Sequence, residues 1–200
     1  MKTIREALDA FLDGEKQRAP KGFEATELAV DALTDFLEGY GYQYVGEEAP
    51  TLSYLDEDLE PAFVETSTPQ MLPVAMDEFL YYWQIRKFGG DPDDARANGE
   101  TIERLMEWLG REGLADAKGA SQAAALARTA ADEVSRSKAL EELLGPLTRM
   151  APIGRPSDED LFVEDFHRIT RVEPGQLWLS DDVGPLAVAT EASEIAEVGW

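Results

Sequence analysis

Apolar residues recur at spacings of three and four along most of this chain, and glycines mark where each such segment ends. That spacing places the apolar side chains on one face of an α-helix, and glycine often follows a helix end. The pattern restricts most of the chain to helical structure. Helices are predicted over residues 3–13, 23–38, 73–88, 91–110 and 119–144, the last of them stopped by Gly145 and Pro146.

One glycine lies inside a predicted helix rather than at its end. Asp91 is suited to cap this helix, with Pro92 at the first helical position. Gly99 then falls on the apolar stripe, where it costs about 1 kcal/mol relative to alanine. If the helix is continuous, a close approach of another helix at Gly99 is the expected compensation. Alternatively, the pair Asn98 and Gly99 divides the helix in two.

The sequence changes character after residue 150. Residues 1–150 are predicted to form a helical domain with an irregular connection over about 42–72, and 151–200 a small β/α element. In the latter, a Pro/Gly linker is followed at 161–191 by alternating apolar and polar residues between turn signals. Two or three short antiparallel strands and a helix over 191–197 are predicted there. A sheet of only two or three short strands is unstable alone. This element should therefore pack on the helices. The predicted fold class is mainly α: helical hairpins forming a bundle, with a small C-terminal antiparallel β element (α+β).

Acidic residues outnumber basic ones by more than two to one, with 41 Asp and Glu against 18 Lys and Arg and a net charge of -23. Such a surface repels phosphate backbones and disfavours nucleic-acid binding unless a local basic patch opposes the field. The acids are spread along the whole chain, which favours a halophilic cytoplasm over a functional acidic segment. Because neither a membrane-length apolar segment nor a signal sequence is visible, we expect a cytoplasmic protein without membrane contact.

Several kinds of chemistry need residues that this chain lacks. It contains no cysteine, which excludes disulfides, thiolate nucleophiles and cysteine-ligated zinc. His167 is the single histidine, and no G-x-S-x-G elbow or glycine-rich phosphate loop accompanies it. The acids over 91–100 suit a helix N-terminus better than a calcium loop, because Ala95 and Arg96 occupy positions that need an oxygen ligand and a glycine. We therefore predict no catalytic residue, no metal and no cofactor.

The stretch FLYYWQIRKFGG, residues 79–90, combines a run of large apolar residues with a basic pair. On a helix, five such residues leave no polar face over one turn, which favours a buried core helix over a binding surface. The alternative is that one side of the turn, including Tyr81, is covered by a partner. A second basic group lies in the loop predicted over 14–22. The candidate binding residues are Lys16, Arg18, Lys21, Tyr82, Trp83, Arg86 and Lys87.

The segment IREALDAFLDGEKQRAPKGFEATELAVDALTDFLEGYG resembles the helical core-binding domain of tyrosine recombinases, in which two helices and a basic loop embrace DNA. The resemblance covers 1–41 and, more weakly, 74–114. MDEFL in the second range is similar to LDAFL in the first, which indicates either an internal duplication or two ordinary amphipathic hairpins. The family's catalytic domain is absent, since the arginines of HRITR lie one and four positions after His167 rather than in a His-x-x-Arg box. The whole chain is also similar to an uncharacterised prokaryotic family with EFL, WL and VEPGQLWL segments, which implies no function.

Three functions remain open from the sequence. The first is a non-enzymatic interaction or regulatory module acting through contacts with a protein partner or with itself, and it predicts a molecular mass that depends on concentration. The second is a DNA-associated helical module, which predicts that the five basic candidates form one contiguous face. The third is a carboxylate-dependent hydrolase, which predicts a pocket lined by acids with raised pKa values.

Overall fold

The computed structural model describes residues 2–44, 62–87, 90–150 and 167–200. These residues form helices and, near the C-terminus, one small antiparallel sheet, which confirms the predicted mainly α fold with a small β element. The chain divides into two compact units, Met1–Ser135 and Arg136–Trp200. The division lies inside one long helix, so the second unit begins before the change of sequence pattern at residue 150.

The bounds of the elements follow the chain from N- to C-terminus. The α-helices are α1 (Ile4–Arg18), α2 (Phe23–Tyr40), α3 (Phe63–Thr66), α4 (Leu72–Glu78), α5 (Gln84–Lys87), α6 (Pro92–Arg111), α7 (Ala117–Met150) and α8 (Thr190–Ile195). The strands are β1 (Ile169–Glu173), β2 (Gln176–Leu179) and β3 (Leu186–Ala187). Two short 3-10 helices, Gly41–Tyr44 and Pro69–Met71, lie in the connection predicted to be irregular, of which 45–61 fall outside the described residues.

The first helix begins at its predicted cap but ends later than predicted. Thr3 accepts a hydrogen bond from the backbone N–H of Glu6, and the Glu6 side chain accepts one from the N–H of Thr3, which forms a capping box. The loop expected over 14–22 is wrong for its first five residues, because they form the last turn of α1. Glu15 is buried in that turn and paired with Arg18, and this pair stabilises it.

The helix predicted over 73–88 is present and contains a wider turn. The turn Phe79–Trp83 is π-helical and joins α4 to α5 without a break. The N–H of Gln84 donates to the carbonyl of Phe79, five residues back, instead of to the residue four back as in an α-helix. This wider turn is the FLYYW run of the sequence, and its Phe79 and Leu80 are fully buried.

The helix carrying the internal glycine is continuous. Asp91 accepts hydrogen bonds from the N–H groups of Asp93 and Asp94 and caps α6, which passes through Gly99 without interruption. A Cβ at Gly99 would lie 2.7 Å from the Cα and Cβ of Ala131 on α7. The expected close approach of another helix is therefore confirmed, and the alternative of a broken helix is wrong.

The long helix α7 passes the stop predicted at Gly145 and Pro146. A proline removes one backbone hydrogen bond, but its fixed φ is itself helical, so it weakens a helix without always ending it. Before that point, small residues of α7 enter the core of the first unit, including Ala120, Ala124, Ala127 and Ala131. These alanines permit the close approach of α6 and α7.

The core of the first unit is built around α2, which packs on α1 and α6. The ring of Phe36 lies 5.4 Å from that of Phe79 and 6.2 Å from that of Trp83, as measured between centroids. Aromatic contacts of this kind add packing energy beyond the area they bury. They fix the inner face of the 72–87 helix on α2.

The second unit contains the three-stranded sheet, in the order β1-β2-β3 with both pairs antiparallel. Of the turn signals in this part of the sequence, Pro174-Gly175 and Asp181-Asp182 form turns, whereas Gly184-Pro185 is not assigned as one. Gly175 (φ 74°), Asp181 (φ 59°) and Asp182 (φ 60°) adopt left-handed backbone conformations. The sheet packs on the C-terminal part of α7 through a small core. Its buried members are Leu140, Ile169, Leu177, Ala192 and Ala196.

Candidate functional site

The outer face of the 72–87 helix exposes apolar side chains. Val74 is 70% exposed, Tyr82 46% and Ile85 39%, and all three lie on one continuous helix. We refer to the exposed surface of residues 74–87 as the 74–87 strip. Single exposed apolar residues are common, whereas several along one helix make that helix the candidate contact surface of the first unit.

Tyr82 and Arg86 contact each other on the 74–87 strip. The guanidinium of Arg86 lies over the Tyr82 ring, 4.9 Å from its centroid, at the distance of a cation–π contact. Tyrosine and arginine are among the residue types that most often dominate the energy of protein interfaces. Lys87 and Asp77 are exposed on either side of this pair, so the strip has a basic turn at one end and an acidic turn at the other.

The strip is held rigidly from behind. Tyr81 donates a hydrogen bond of 2.7 Å to Glu133 on α7, and Tyr44 donates one to Glu78. Burial raises the pKa of both tyrosines most, and the neighbouring carboxylates raise it further. Both tyrosines therefore remain neutral donors at physiological pH. Trp83 is half-buried and packs on Phe79, with ring centroids 5.7 Å apart. Of the aromatic candidates, Tyr82 therefore points outward and Trp83 belongs to the core.

The candidate basic residues form two separate groups. Glu15 binds Arg104 of α6, with 2.9 Å between the Arg104 Nε and the carboxylate oxygen, which places the Arg18 group beside that part of α6. Gln84, two residues before Arg86, donates instead to the carbonyl of Ala95, at 3.1 Å. Nine residues of α6 separate these contacts, or about 13 Å along the helix axis.

The structure therefore does not bring Lys16, Arg18 and Lys21 together with the basic end of the 74–87 strip. Lys16 lies over the Phe23 ring, 5.5 Å from its centroid, at the junction of α1 and α2. Lys21 is exposed in the turn between the same helices. The one continuous basic face that the DNA-associated alternative requires is not formed by these five side chains.

Glu15 is the most buried acid that the structure describes, and the sequence alone did not single it out. Arg18 donates to both of its carboxylate oxygens, at 2.7 and 2.6 Å. The hydrogen bond from Arg18 lowers the pKa of Glu15, and Arg104 acts in the same direction, which outweighs the opposing effect of burial. Glu15 is therefore a fixed negative charge and not the protonated acid that the hydrolase alternative needs. Glu15 and Arg18 are three residues apart, which is the spacing of a helical ion pair, but this signal was hidden because 14–22 was predicted as a loop.

His167 lies just before β1, beside two residues that suggest a catalytic arrangement. Its Nδ1 is 3.3 Å from the Ser180 hydroxyl and 3.4 Å from a carboxylate oxygen of Asp181. A Ser-His-Asp triad needs the serine and the acid on opposite ring nitrogens. Here both lie at the same nitrogen, and Nε2 is buried without a hydrogen-bond partner among the described residues. The arrangement does not perform triad chemistry.

Comparison of the chain with protein-family models, with curated proteins and with solved structures finds no match. Among the described residues, no helix is long and apolar enough to cross a membrane. Within the same ranges, no group of three or more acids and histidines is placed to hold a metal ion. Function is therefore inferred from the chemistry of the surfaces themselves.

Proposed function

We propose that this protein is a non-enzymatic interaction module, that it acts through protein contacts, and that the 74–87 strip is its contact surface. The observation that carries the proposal is the exposure of Val74, Tyr82 and Ile85 on one continuous helix whose opposite side is packed in the core. Removing apolar surface from water contributes about 25 cal/mol per Å², from which the entropy cost of association is subtracted. A rigid helix loses little conformational entropy when it is covered.

The occupant we propose for the strip is a second copy of the chain. Exposed Asp77 makes the turn before Tyr82 acidic, and Arg86 and Lys87 make the turn after it basic, at similar distances along the helix. Two copies in antiparallel order bring the acidic turn of each to the basic turn of the other. Such an isologous contact uses the same patch twice and closes as a dimer. The strip is about 20 Å long, at about 1.5 Å per residue.

The net charge of -23 on each copy opposes this contact. Salt screens such repulsion, with a Debye length of about 3 Å at 1 M ionic strength against about 10 Å at 0.1 M. The apolar part of the contact does not weaken in the same way. The dimer is therefore expected to tighten as salt rises, which suits the halophilic cytoplasm that the acidic composition favours.

Sedimentation equilibrium tests the proposal, over concentrations up to about 1 mM and at low and high salt. Wild type should shift from monomer to dimer, at lower concentration in high salt. Val74→Glu places a charge in the contact and should weaken dimerisation by about tenfold or more. Leu28→Glu is the matched control, because Leu28 is 51% exposed on α2, outside the strip.

Two results would contradict the proposal. One is a strict monomer at every concentration in high salt. The other is an equal effect of Val74→Glu and Leu28→Glu, since this would show that added charge, and not its position on the strip, controls the association.

A further inference from the structure

A groove on the first unit concentrates arginines in an otherwise acidic protein. It lies between the C-terminal turns of α1 and α6 and has a volume of about 360 Å³, within the range of small-ligand sites. Three of the chain's twelve arginines line it, namely Arg18, Arg104 and Arg111. This clustering is unexpected by composition, because acids dominate the sequence.

The arginines have different roles within the groove. Arg104 is anchored, since it binds Glu15 through Nε, the Glu100 carbonyl through Nη1 and the Thr101 hydroxyl through Nη2. Arg18 uses Nε and Nη2 to bind Glu15, which leaves Nη1 without a hydrogen bond to any described residue. Its guanidinium is thus fixed in orientation and still has donors available.

Arg111 completes the basic side of the groove. It is exposed in the last turn of α6 and has no hydrogen bond or ion pair with the described residues. Glu15 and Glu107 also line the groove. The three arginines and two glutamates together leave a formal charge of about +1, which matches a monoanion.

The groove has an apolar wall beside these donors. Trp108 is half-buried, and its ring lies 5.9 Å from that of the buried Phe11, as measured between centroids. Such a wall binds an aliphatic or aromatic group next to the anion. The fork of Arg111 matches the two oxygens of a planar carboxylate, and Arg18 adds the Nη1 donor that Glu15 does not use.

We propose that this groove binds a carboxylate attached to an apolar group, with Arg18 and Arg111 holding the carboxylate and Trp108 packing on the apolar part. A dianion such as phosphate carries more negative charge than the groove can neutralise, and Glu107 in the groove lining would repel it. A peptide C-terminus with an apolar last residue and a free small acid both present this chemistry. The groove lies outside the 74–87 strip, so the inference does not depend on the proposed dimer.

Calorimetric titration of the full chain tests this site with matched probes. N-acetyl-phenylalanine supplies the carboxylate and the ring, N-acetyl-phenylalanine amide lacks the charge, and inorganic phosphate lacks the ring. Arg111→Gln should weaken binding of the acid by about tenfold, whereas Arg5→Gln, which changes an arginine paired with Glu65, should leave it unchanged. Circular dichroism confirms that both variants fold.

The outcomes separate clearly. Binding of the acid but not of the amide, together with weakening by Arg111→Gln, supports the site. A peptide ending in phenylalanine that binds more tightly than the free acid identifies the source as a chain terminus, and the reverse identifies a small acid. Equal binding of acid and amide, tighter binding of phosphate, an unaffected Arg111→Gln variant, or no binding of the acid at about 10 mM would overturn the proposal.

Discussion

Gly99 shows how a single residue sets the distance between two helices. Because a Cβ there would meet the backbone and side chain of Ala131 at 2.7 Å, Gly99→Ala cannot be accommodated by moving a flexible side chain. Overpacking of this kind costs about 1–3 kcal/mol. Urea unfolding should therefore show Gly99→Ala to be less stable than wild type with an unchanged dependence on denaturant.

Gly39→Ala is the matched control for this prediction. Gly39 lies near the end of α2, and a Cβ there would meet nothing within 4 Å. Alanine should stabilise this position by about 0.4–1 kcal/mol, because it restricts the unfolded chain. If Gly99→Ala stabilises the protein by the same amount, the close approach of α6 and α7 is wrong.

For individual residues, the sequence predicts the structural role of some and not of others. The approach at Gly99 is predictable, because a glycine on an apolar stripe needs compensation. The role of Glu15 is not, since its main partner besides Arg18 is Arg104, which is 89 residues away in the chain. Contacts between distant residues leave no local pattern in one sequence.

The π-helical turn is the least predictable element. A run of apolar residues predicts that a helical turn is covered on several sides, and Phe79 and Leu80 are buried as this predicts. The same run does not reveal that the turn contains one more residue than an α-helical turn. Some helix ends also differ from prediction, because helical propensity is a weak guide where tertiary contacts oppose it. Both α1 and α7 continue through a glycine whose position predicts a stop.

The attachment of the π-helical turn should depend on pH. Tyr81 bonds Glu133 and Tyr44 bonds Glu78, and burial with these carboxylates raises the pKa of both tyrosines in the folded state. Their contribution to stability is therefore complete below the unfolded pKa of about 10 and is lost as pH rises above it. The loss should be up to about 1.4 kcal/mol per pH unit for each tyrosine.

Ultraviolet titration of tyrosinate measures this effect directly. Tyr44 and Tyr81 should ionise above their ordinary pKa, or together with alkaline unfolding. Tyr81→Phe should remove one of these late transitions and leave the other. A tyrosinate titration that is unchanged by Tyr81→Phe at high pH would contradict the assignment.

At the scale of the whole molecule, the net charge controls how stability responds to salt. A net charge of -23 repels itself in the compact state, and the described ion pairs are mostly exposed, so each contributes little. The free energy of unfolding of the monomer should therefore rise with KCl concentration. Thermal unfolding at low protein concentration, in KCl and in NaCl, measures this rise without the dimer.

The salt dependence of stability distinguishes two explanations of the acidic composition. Stabilisation by either salt to a similar degree supports screening of general repulsion and the halophilic interpretation. Destabilisation by salt would show instead that specific ion pairs contribute more than the repulsion, because salt weakens those pairs as well.

The fold class is predictable from the sequence, because apolar residues recur at helical spacing in one part of the chain and alternate as in strands in another. The candidate surfaces are predictable only in part. Tyr82 and Arg86 are identifiable as residues, but Val74 and Ile85, which extend them into a strip, become visible only from their exposure. The arginine groove needs α1 and α6 side by side, and no single segment of sequence contains it.

The π-helical turn Phe79–Trp83 also bears on how related sequences should be aligned. Its hydrogen bond from Gln84 to Phe79 closes a loop that is one residue longer than an α-helical turn. A homologue with one residue fewer here could keep an ordinary α-helix with the same caps and neighbours. A single-residue gap inside this helix would then be the correct alignment, and moving the gap to the nearest loop would misplace every residue between them, including the cation–π pair.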